Sequence, residues 1–433
     1  MKNELILNNA RIIDPESGFD AFGYIYIKDG KINNFEKKIK KNFSKNIKVI
    51  DCNNKILCPG IIDMSVSTGE PGSEHKETLF TATRAAASGG VTTILTLPDT
   101  KPCIDDVALV EFIIRRAKNE GIVNVLPMAS LTKNLAGEQM AEIGLLKEAG
   151  AVAFTDGYNS ISNAKIMRLA LAYTSNFDAL IVHHTEVPEL IKNTDMNEGE
   201  VSTILGLEGA PSVAESIMIE RDIRLLNSIS HGRYHISSIS TAESVETVRN
   251  AKKNNNTNRI SAAVAPYHFT LNEKEIFEYR TFAKLSPPLR TEDDRQAIIE
   301  GIRDGTIEII SSHHRPEPQE KKRLPFAQAA FGSVGLETLL ATSLNLYHNK
   351  EMELIDVLHR LTAGPANLLK LNSGKIKIGY PADLILFDPD LPWKVNSDNF
   401  LSKSKNSTYD EKPLQGKVLI TVVAGKIVFP FES

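Results

Sequence analysis

Histidine, aspartate and serine recur at the ends of short apolar runs in this chain. They are Ser65 and Ser67, Asp99, Asp156, His184, Ser238, Tyr267 with His268, and His313 with His314. Imidazoles and carboxylates bind metal ions and move protons, whereas a neutral serine hydroxyl is a poor zinc ligand. One polar strand end is ordinary. A series of them predicts a pocket, because barrel enzymes build their sites at the C-terminal ends of strands. No GxGxxG or GxxxxGK[ST] phosphate loop is present, and no GxSxG nucleophile elbow.

The elements that would position these groups follow from the pattern. The runs GIIDMSVS, GVTTILTLP, IVNVLPMAS, AVAFTD, ALIVHHTE, YHISSIS, ISAAVAP and IEIISSHH read as eight strands. Stretches between them, such as HKETLFTATRAAASGG and DVALVEFIIRRAKNEG, have helical apolar spacing and stop at glycine. Eight strand–helix repeats over about 250 residues predict an α/β fold, a (β/α)8 barrel. Both termini instead read as strands broken by turns: LILNNARIID, GYIYIKDGKINNF and NIKVIDCNNKILCPG, then ADLILFDPD and GKVLITVVAGKIVF. Neither end has enough strands for its own core. The expectation is one composite β-sandwich from residues 1–58 plus 370–433, beside a barrel over 59–369.

Composition removes several classes. The chain has 433 residues, a formal net charge of −4, 42% hydrophobic and 24% charged residues. That is ordinary for a folded protein and supplies no global field for nucleic acid or an anionic membrane. No apolar run of about 18 residues suggests a membrane span, and no signal peptide is recognisable. Cys52, Cys58 and Cys103 cannot build a disulfide framework, so a reducing, cytoplasmic setting is expected. The charge runs KKNFSKNIK and EPQEKKR are expected to be solvated faces.

The stretch PGIIDMSVSTGEPGSEHKET resembles the opening of the amidohydrolase barrel, specifically the long dihydroorotase type. The resemblance continues through GVTTILTLPDTKP, GAVAFTDG, NEGEVSTILGLEGAPSVAE, RYHISSIST, SPPLR, DGTIEIISSHHRPE, GLETLL, LTAGPANLL, KIGYPADLILFDP and GKVLITVVAGKIV, in the family's order. It implies the same barrel-plus-sandwich fold and reversible hydrolysis of a cyclic ureide. In that chemistry metal ions polarise the carbonyl and generate hydroxide, and an aspartate carries the proton.

Compared residue by residue, the chain departs from that machinery. The family's first strand ends in His-x-His followed by an arginine for the substrate carboxylate; here Ser65 and Ser67 replace the imidazoles and Gly69 replaces the arginine. Asp99 stands where an asparagine contacts substrate, and would repel an acidic one. Asp156 matches the carboxylate ligand, and His184 matches the next histidine. The first histidine of the following pair persists as His235, while the second is Ser238. A double histidine becomes Tyr267–His268, Arg290 persists, His313 replaces the catalytic aspartate, and Glu317 stands where another histidine is usual.

Losing most of these ligands together with the proton carrier predicts no intact catalytic set and no tightly held zinc. Asp156, His184 and His313 remain as a residual candidate, since three protein ligands can hold a catalytic zinc. Plainer roles compete: His184 and His235 as core histidines, Asp156 as a cap, Arg290 in an ion pair. His183 and His184, being adjacent on a strand, point to opposite faces and cannot chelate together.

The resemblance therefore implies a protein of pyrimidine biosynthesis that has kept the fold and lost hydrolysis. It would act as a structural partner of aspartate carbamoyltransferase, in a homo- or hetero-oligomer. Two alternatives stand beside it: an active dihydroorotase or other cyclic-amide hydrolase with a rebuilt mononuclear zinc site, and a non-catalytic small-ligand binder using Arg290 as anion contact.

Overall fold

The computed structural model describes residues 4–36, 47–254 and 259–431. The eight apolar runs form the staves of a closed parallel barrel. Strands Ile61–Val66, Val91–Thr96 and Asn124–Pro127 pair in order, as do Leu180–His183, Arg233–Ile236, Ile260–Val264 and Ile309–Ile310. The fourth run contributes Phe154, which bridges Ala129 on one side and Ile181 on the other. Closure comes from the eighth strand's extension: the Ser67 amide donates to His314 O (2.9 Å), and the His314 amide to Ser65 O (3.0 Å). These strands are short and buried on both faces, which is why they read as continuous apolar runs.

Local chemistry sets the helices. Thr78 caps Leu79–Ser88 in a reciprocal capping box with Thr81, and the helix stops at Gly89. Its face Ala82, Ala85 and Ala86 is fully buried, so small residues let it approach the strands. Asp106 caps Val107–Glu120 through the Ala108 amide.

Both termini share one eight-stranded mixed sheet. Ile56–Pro59 is its centre, running parallel to Glu4–Asp14 and antiparallel to Leu384–Lys394. Leu7, Ile12, Ile25, Leu57, Leu384 and Leu386 enclose a core separate from the barrel's. Burying each such side chain stabilises the fold by about 1.5–3 kcal/mol, which neither terminus could assemble alone.

Two expectations need correction. The segment 395–412, assigned by sequence to the terminal sandwich, packs on the barrel instead. Val395, Phe400 and Tyr409 share a core with Ala265, Tyr267 and Phe326. Asn406 reaches the barrel mouth, donating to Arg315 O (3.0 Å) and Gly332 O (3.1 Å) and accepting from the Glu317 amide (3.0 Å).

The run EPQEKKR is a solvated face only in part: Glu320, Lys321 and Arg323 are exposed, but two of its charged residues are not. Lys322 is fully buried, its Nζ donating to Ala330 O (2.8 Å), Gly332 O (3.0 Å) and Lys284 O (3.3 Å). Glu317 is also buried and pairs with Lys76 at 2.7 Å. The greater part of the other run, residues 40–46, lies outside the described residues.

Burial pushes the Lys322 amine down to about 7. Above that value the folded chain has released a proton that the unfolded chain keeps until about pH 10.4. Stability should therefore rise with pH from about 7, by at most about 1.4 kcal/mol per pH unit from this group. Urea denaturation at pH 7 and 9 should show the rise, and Lys322→Met should flatten it. An equal rise in the variant would contradict the assignment.

Candidate functional site

The strand ends and the loops beyond them enclose a cavity of about 450 Å³ at the barrel mouth. Ser67, Asp99 and Asp156 line it together with Gly69, Tyr158, Lys101, Arg315, Glu317 and Lys321. The loop after the first strand is held tightly. Gly69 has φ +66°, and a Cβ there would meet Ser73 O at 2.7 Å. Gly72 has φ +88°, and a Cβ there would lie 1.8 Å from Lys101 O. A side chain at 69 therefore conflicts with the path of the backbone as well as with residue type.

Of the candidate metal-binding side chains, Asp156 and His184 are bound to other protein groups, whereas His313 keeps one ring nitrogen without a partner. Asp156 Oδ1 accepts from the Leu131 and Thr132 amides, each at 2.9 Å, and Oδ2 accepts from the Thr132 hydroxyl. The carboxylate thus fixes the loop after the third strand, although burial pushes its pKa up. His184 Nε2 bonds Glu186 Oε2 at 2.8 Å. Burial works against the Glu186 charge, but the His184 hydrogen bond and charge, with Arg290, hold its pKa below the usual range. His313, at φ +49°, donates from Nε2 to Ser237 O (2.8 Å) and leaves Nδ1 without a partner. His235 Nδ1 bonds the Ser261 hydroxyl at 2.8 Å. Burial pushes His235 down to about 3 and His313 down to about 4, so both rings are neutral near pH 7.

Zinc needs three or four nitrogen, sulfur or oxygen donors converging on one point. Among the described residues no group of three or more His, Cys, Asp or Glu is arranged to hold a metal ion. Ser65 and Ser67 add hydroxyls, and the Ser67 hydroxyl donates to Asp99 Oδ2 at 2.6 Å. Ser238 Oγ and Asp99 Oδ1 are buried without partners. Burial pushes the Asp99 carboxyl up, which favours its neutral form. The donor set does not fit a catalytic zinc, and no reaction step is derived through one.

Arg290 does not line the cavity. Its guanidinium is buried and donates to Ser240 Oγ (3.0 Å), Asn197 Oδ1 (2.9 Å) and Ala210 O (3.1 Å). Its Nη2 has no hydrogen-bond partner and lies 3.9 Å from Glu186 Oε1, so the charge expected to contact an anion faces a buried carboxylate instead. His268 donates to Pro287 O (3.2 Å) beside the Tyr267 ring, and His314 Nδ1 accepts from the Gly335 amide (3.2 Å). His183 does face away from His184: its Nε2 accepts from the Ile161 amide (2.9 Å), leaving Nδ1 to donate to Asp222 Oδ2 (2.8 Å).

Sequence reasoning missed the cations of the mouth. Arg315 lies with its guanidinium 4.0 Å from the centre of the Tyr158 ring. The signal was its position directly after His313–His314, one residue past the closing pair of the barrel. Glu186, two residues after His184, was also within sight as its partner.

Comparison with known proteins agrees with this architecture. The sequence profile described as dihydro-orotase-like matches residues 54–244, and one described as amidohydrolase family matches 341–429. A protein named dihydroorotase from Ehrlichia canis (strain Jake) is 44% identical over 423 residues, covering 97% of this chain and 94% of the relative. Another of that name, from Anaplasma phagocytophilum (strain HZ), is 43% identical over 98% of this chain and 95% of its own. An L-hydantoinase structure from Arthrobacter aurescens superimposes with a TM-score of 0.87 over 98% of this chain and 95% of its own, at 22% identity, a likeness of fold. Continuous identity at this level through barrel and terminal sheet alike carries the assignment: the chain belongs to the dihydroorotase-like family of amidohydrolases.

Proposed function

We propose that this chain serves pyrimidine biosynthesis in the cytoplasm as a dihydroorotase-family protein that does not itself hydrolyse the cyclic ureide, and that it works as a structural partner of aspartate carbamoyltransferase. The observation carrying the first half is the donor set. Serines stand at 65, 67 and 238, and Asp156 and His184 are bound to other protein groups. The second half rests on the family resemblance and on a stably packed barrel without its hydrolytic machinery. Co-expressed with the transferase of its own organism, the chain should elute as one assembly. Its interface should exceed about 1,000 Å², and the transferase alone should be less stable or less active. Separate elution at micromolar concentration, with a fully active lone transferase, would contradict this.

The second reading is an active dihydroorotase with a rebuilt site. The names of the relatives favour it, since proteins 38–44% identical to this chain are called dihydroorotase. His313 Nδ1 is its best structural support, being a buried ring nitrogen without a hydrogen bond. Turnover separates the two readings.

A further inference from the structure

We propose that a second cavity, at the joint between the barrel and the terminal sheet, binds a small uncharged aromatic heterocycle, with aromatic walls for its ring and the Glu337 carboxylate for its N–H. The cavity holds about 460 Å³ and shares no lining residue with the barrel mouth, so the site stands apart from the loss of hydrolysis. Helices Leu79–Ser88 and Leu339–Ser343 of the barrel contribute one side, and strands Leu384–Lys394 and Pro413–Val423 the other. Pockets of this size favour such joints.

The walls suit a flat ring. Trp393, Phe400, Phe429 and Phe431 line the space. The Trp393 ring is fixed by its Nε1, which donates to Gly416 O (2.9 Å). Phe431 stands edge-on to Phe429, with ring centres 5.6 Å apart, and carries the Arg84 guanidinium on its face at 3.8 Å. Aromatic side chains already ordered in this way lose little conformational entropy when a ring packs against them.

One carboxyl is placed among them. Glu337 Oε1 accepts from the Leu401 amide (2.7 Å) and the Ser402 amide (3.1 Å), and Oε2 accepts from the Ser88 hydroxyl (3.1 Å). Oε1 is thus saturated, whereas Oε2 keeps a lone pair for a further donor. Among the described residues no cation pairs with this carboxyl; the nearby Lys405 ammonium donates to Phe400 O and to Ser402 O (2.9 Å) instead. Burial pushes Glu337 up to about 7, and a donated N–H offsets that desolvation.

The charges select a neutral ligand. Glu337 would repel a carboxylate, and Lys394 and Lys417 at the exposed rim would repel an ammonium. Lys394 is paired with Glu411, which leaves Lys417 as the rim cation without an ion pair among the described residues.

The probes are benzimidazole, its 1-methyl derivative, which lacks the N–H, and its 2-aminomethyl and 5-carboxylate derivatives, which carry a positive and a negative charge. Each is titrated slightly above neutral pH, where benzimidazole is uncharged, by calorimetry and through the fluorescence of Trp393, the one tryptophan of the chain. Benzimidazole should bind with a dissociation constant below about 1 mM and change the Trp393 emission with the same midpoint. Removing the N–H, or adding either charge, should weaken binding about fivefold or more. Glu337→Gln should weaken benzimidazole about threefold, and Lys417→Ala should narrow the deficit of the aminomethyl probe while leaving benzimidazole unchanged. If Glu337→Gln does not fold, the comparison of benzimidazole with its 1-methyl derivative on the unaltered chain decides. Overturning results are a dissociation constant above about 1 mM, binding that leaves the Trp393 emission unchanged, equal affinity for the 1-methyl derivative, or tighter binding of either charged probe.

Discussion

Dihydroorotate and its ring-opened ureido acid are expected to remain unconverted by this chain between about pH 6 and 9, with or without added zinc. The expected deficit against an active member is large. Loss of one outer-shell partner of a metal typically costs 10–100-fold, and here most of the direct donors and the proton carrier are replaced together. His313 cannot donate a proton as the family's aspartate does. Its Nε2 proton is given to Ser237 O at 2.8 Å, and burial holds its pKa down to about 4, so near neutrality only the unpartnered Nδ1 is open, as an acceptor. Ser65→His with Ser67→His should not restore hydrolysis either. Asp156 remains tied to Thr132, and Gly69, at φ +66°, has no room for the arginine side chain. Following substrate loss spectrophotometrically in both directions checks this. Turnover abolished by His184→Ala or His313→Ala would favour the rebuilt-site reading.

Replacing Asp222 by alanine should cost about 3–5 kcal/mol of stability, the scale for removing one partner of a buried ion pair. Asp222 is fully buried and joins three groups through four contacts: His183 Nδ1 (2.8 Å), Tyr234 Oη (2.7 Å), and Arg221 Nε (2.8 Å) and Nη2 (2.7 Å). Burial disfavours its charge, yet the neighbouring His183 and Arg221 hold its pKa below the usual range. Removal leaves the buried Tyr234 phenol and His183 Nδ1 with only each other, at 3.1 Å, beside a guanidinium that has lost its carboxylate. Urea denaturation measures the cost. A loss under about 1 kcal/mol would show that this network does not hold the back of the fifth strand.

The same histidine shows what the sequence could and could not tell. Strand alternation placed His183 and His184 on opposite faces, a matter of period alone, and the structure has one in the Asp222 network and the other against Glu186. The eight strands were legible because buried parallel strands are short apolar runs bounded by glycine and helical spacing. The fourth is the weakest, with Phe154 making the bridges to both neighbours. The path of 395–412 was not legible: Asn406 to Arg315 and Ser402 to Glu77 are contacts 91 and 325 residues apart in sequence, with no periodicity to announce them. Nor was the burial of Lys322, since a lysine in a charge run is ordinarily solvated and three backbone carbonyls are invisible in sequence. In the site, the reading of Ser65, Ser67 and Ser238 as replaced imidazoles comes from the resemblance alone. The commitment of Asp156 to Leu131 and Thr132, and the guanidinium of Arg315 over Tyr158, required the fold.

On the proposed function the mouth of this barrel has no catalytic metal centre. Elemental analysis of protein purified from zinc-supplemented culture and passed through a desalting column tests it most directly. Well under one zinc per protomer is expected; one or two zinc ions retained per protomer would show that the mouth does hold a metal centre.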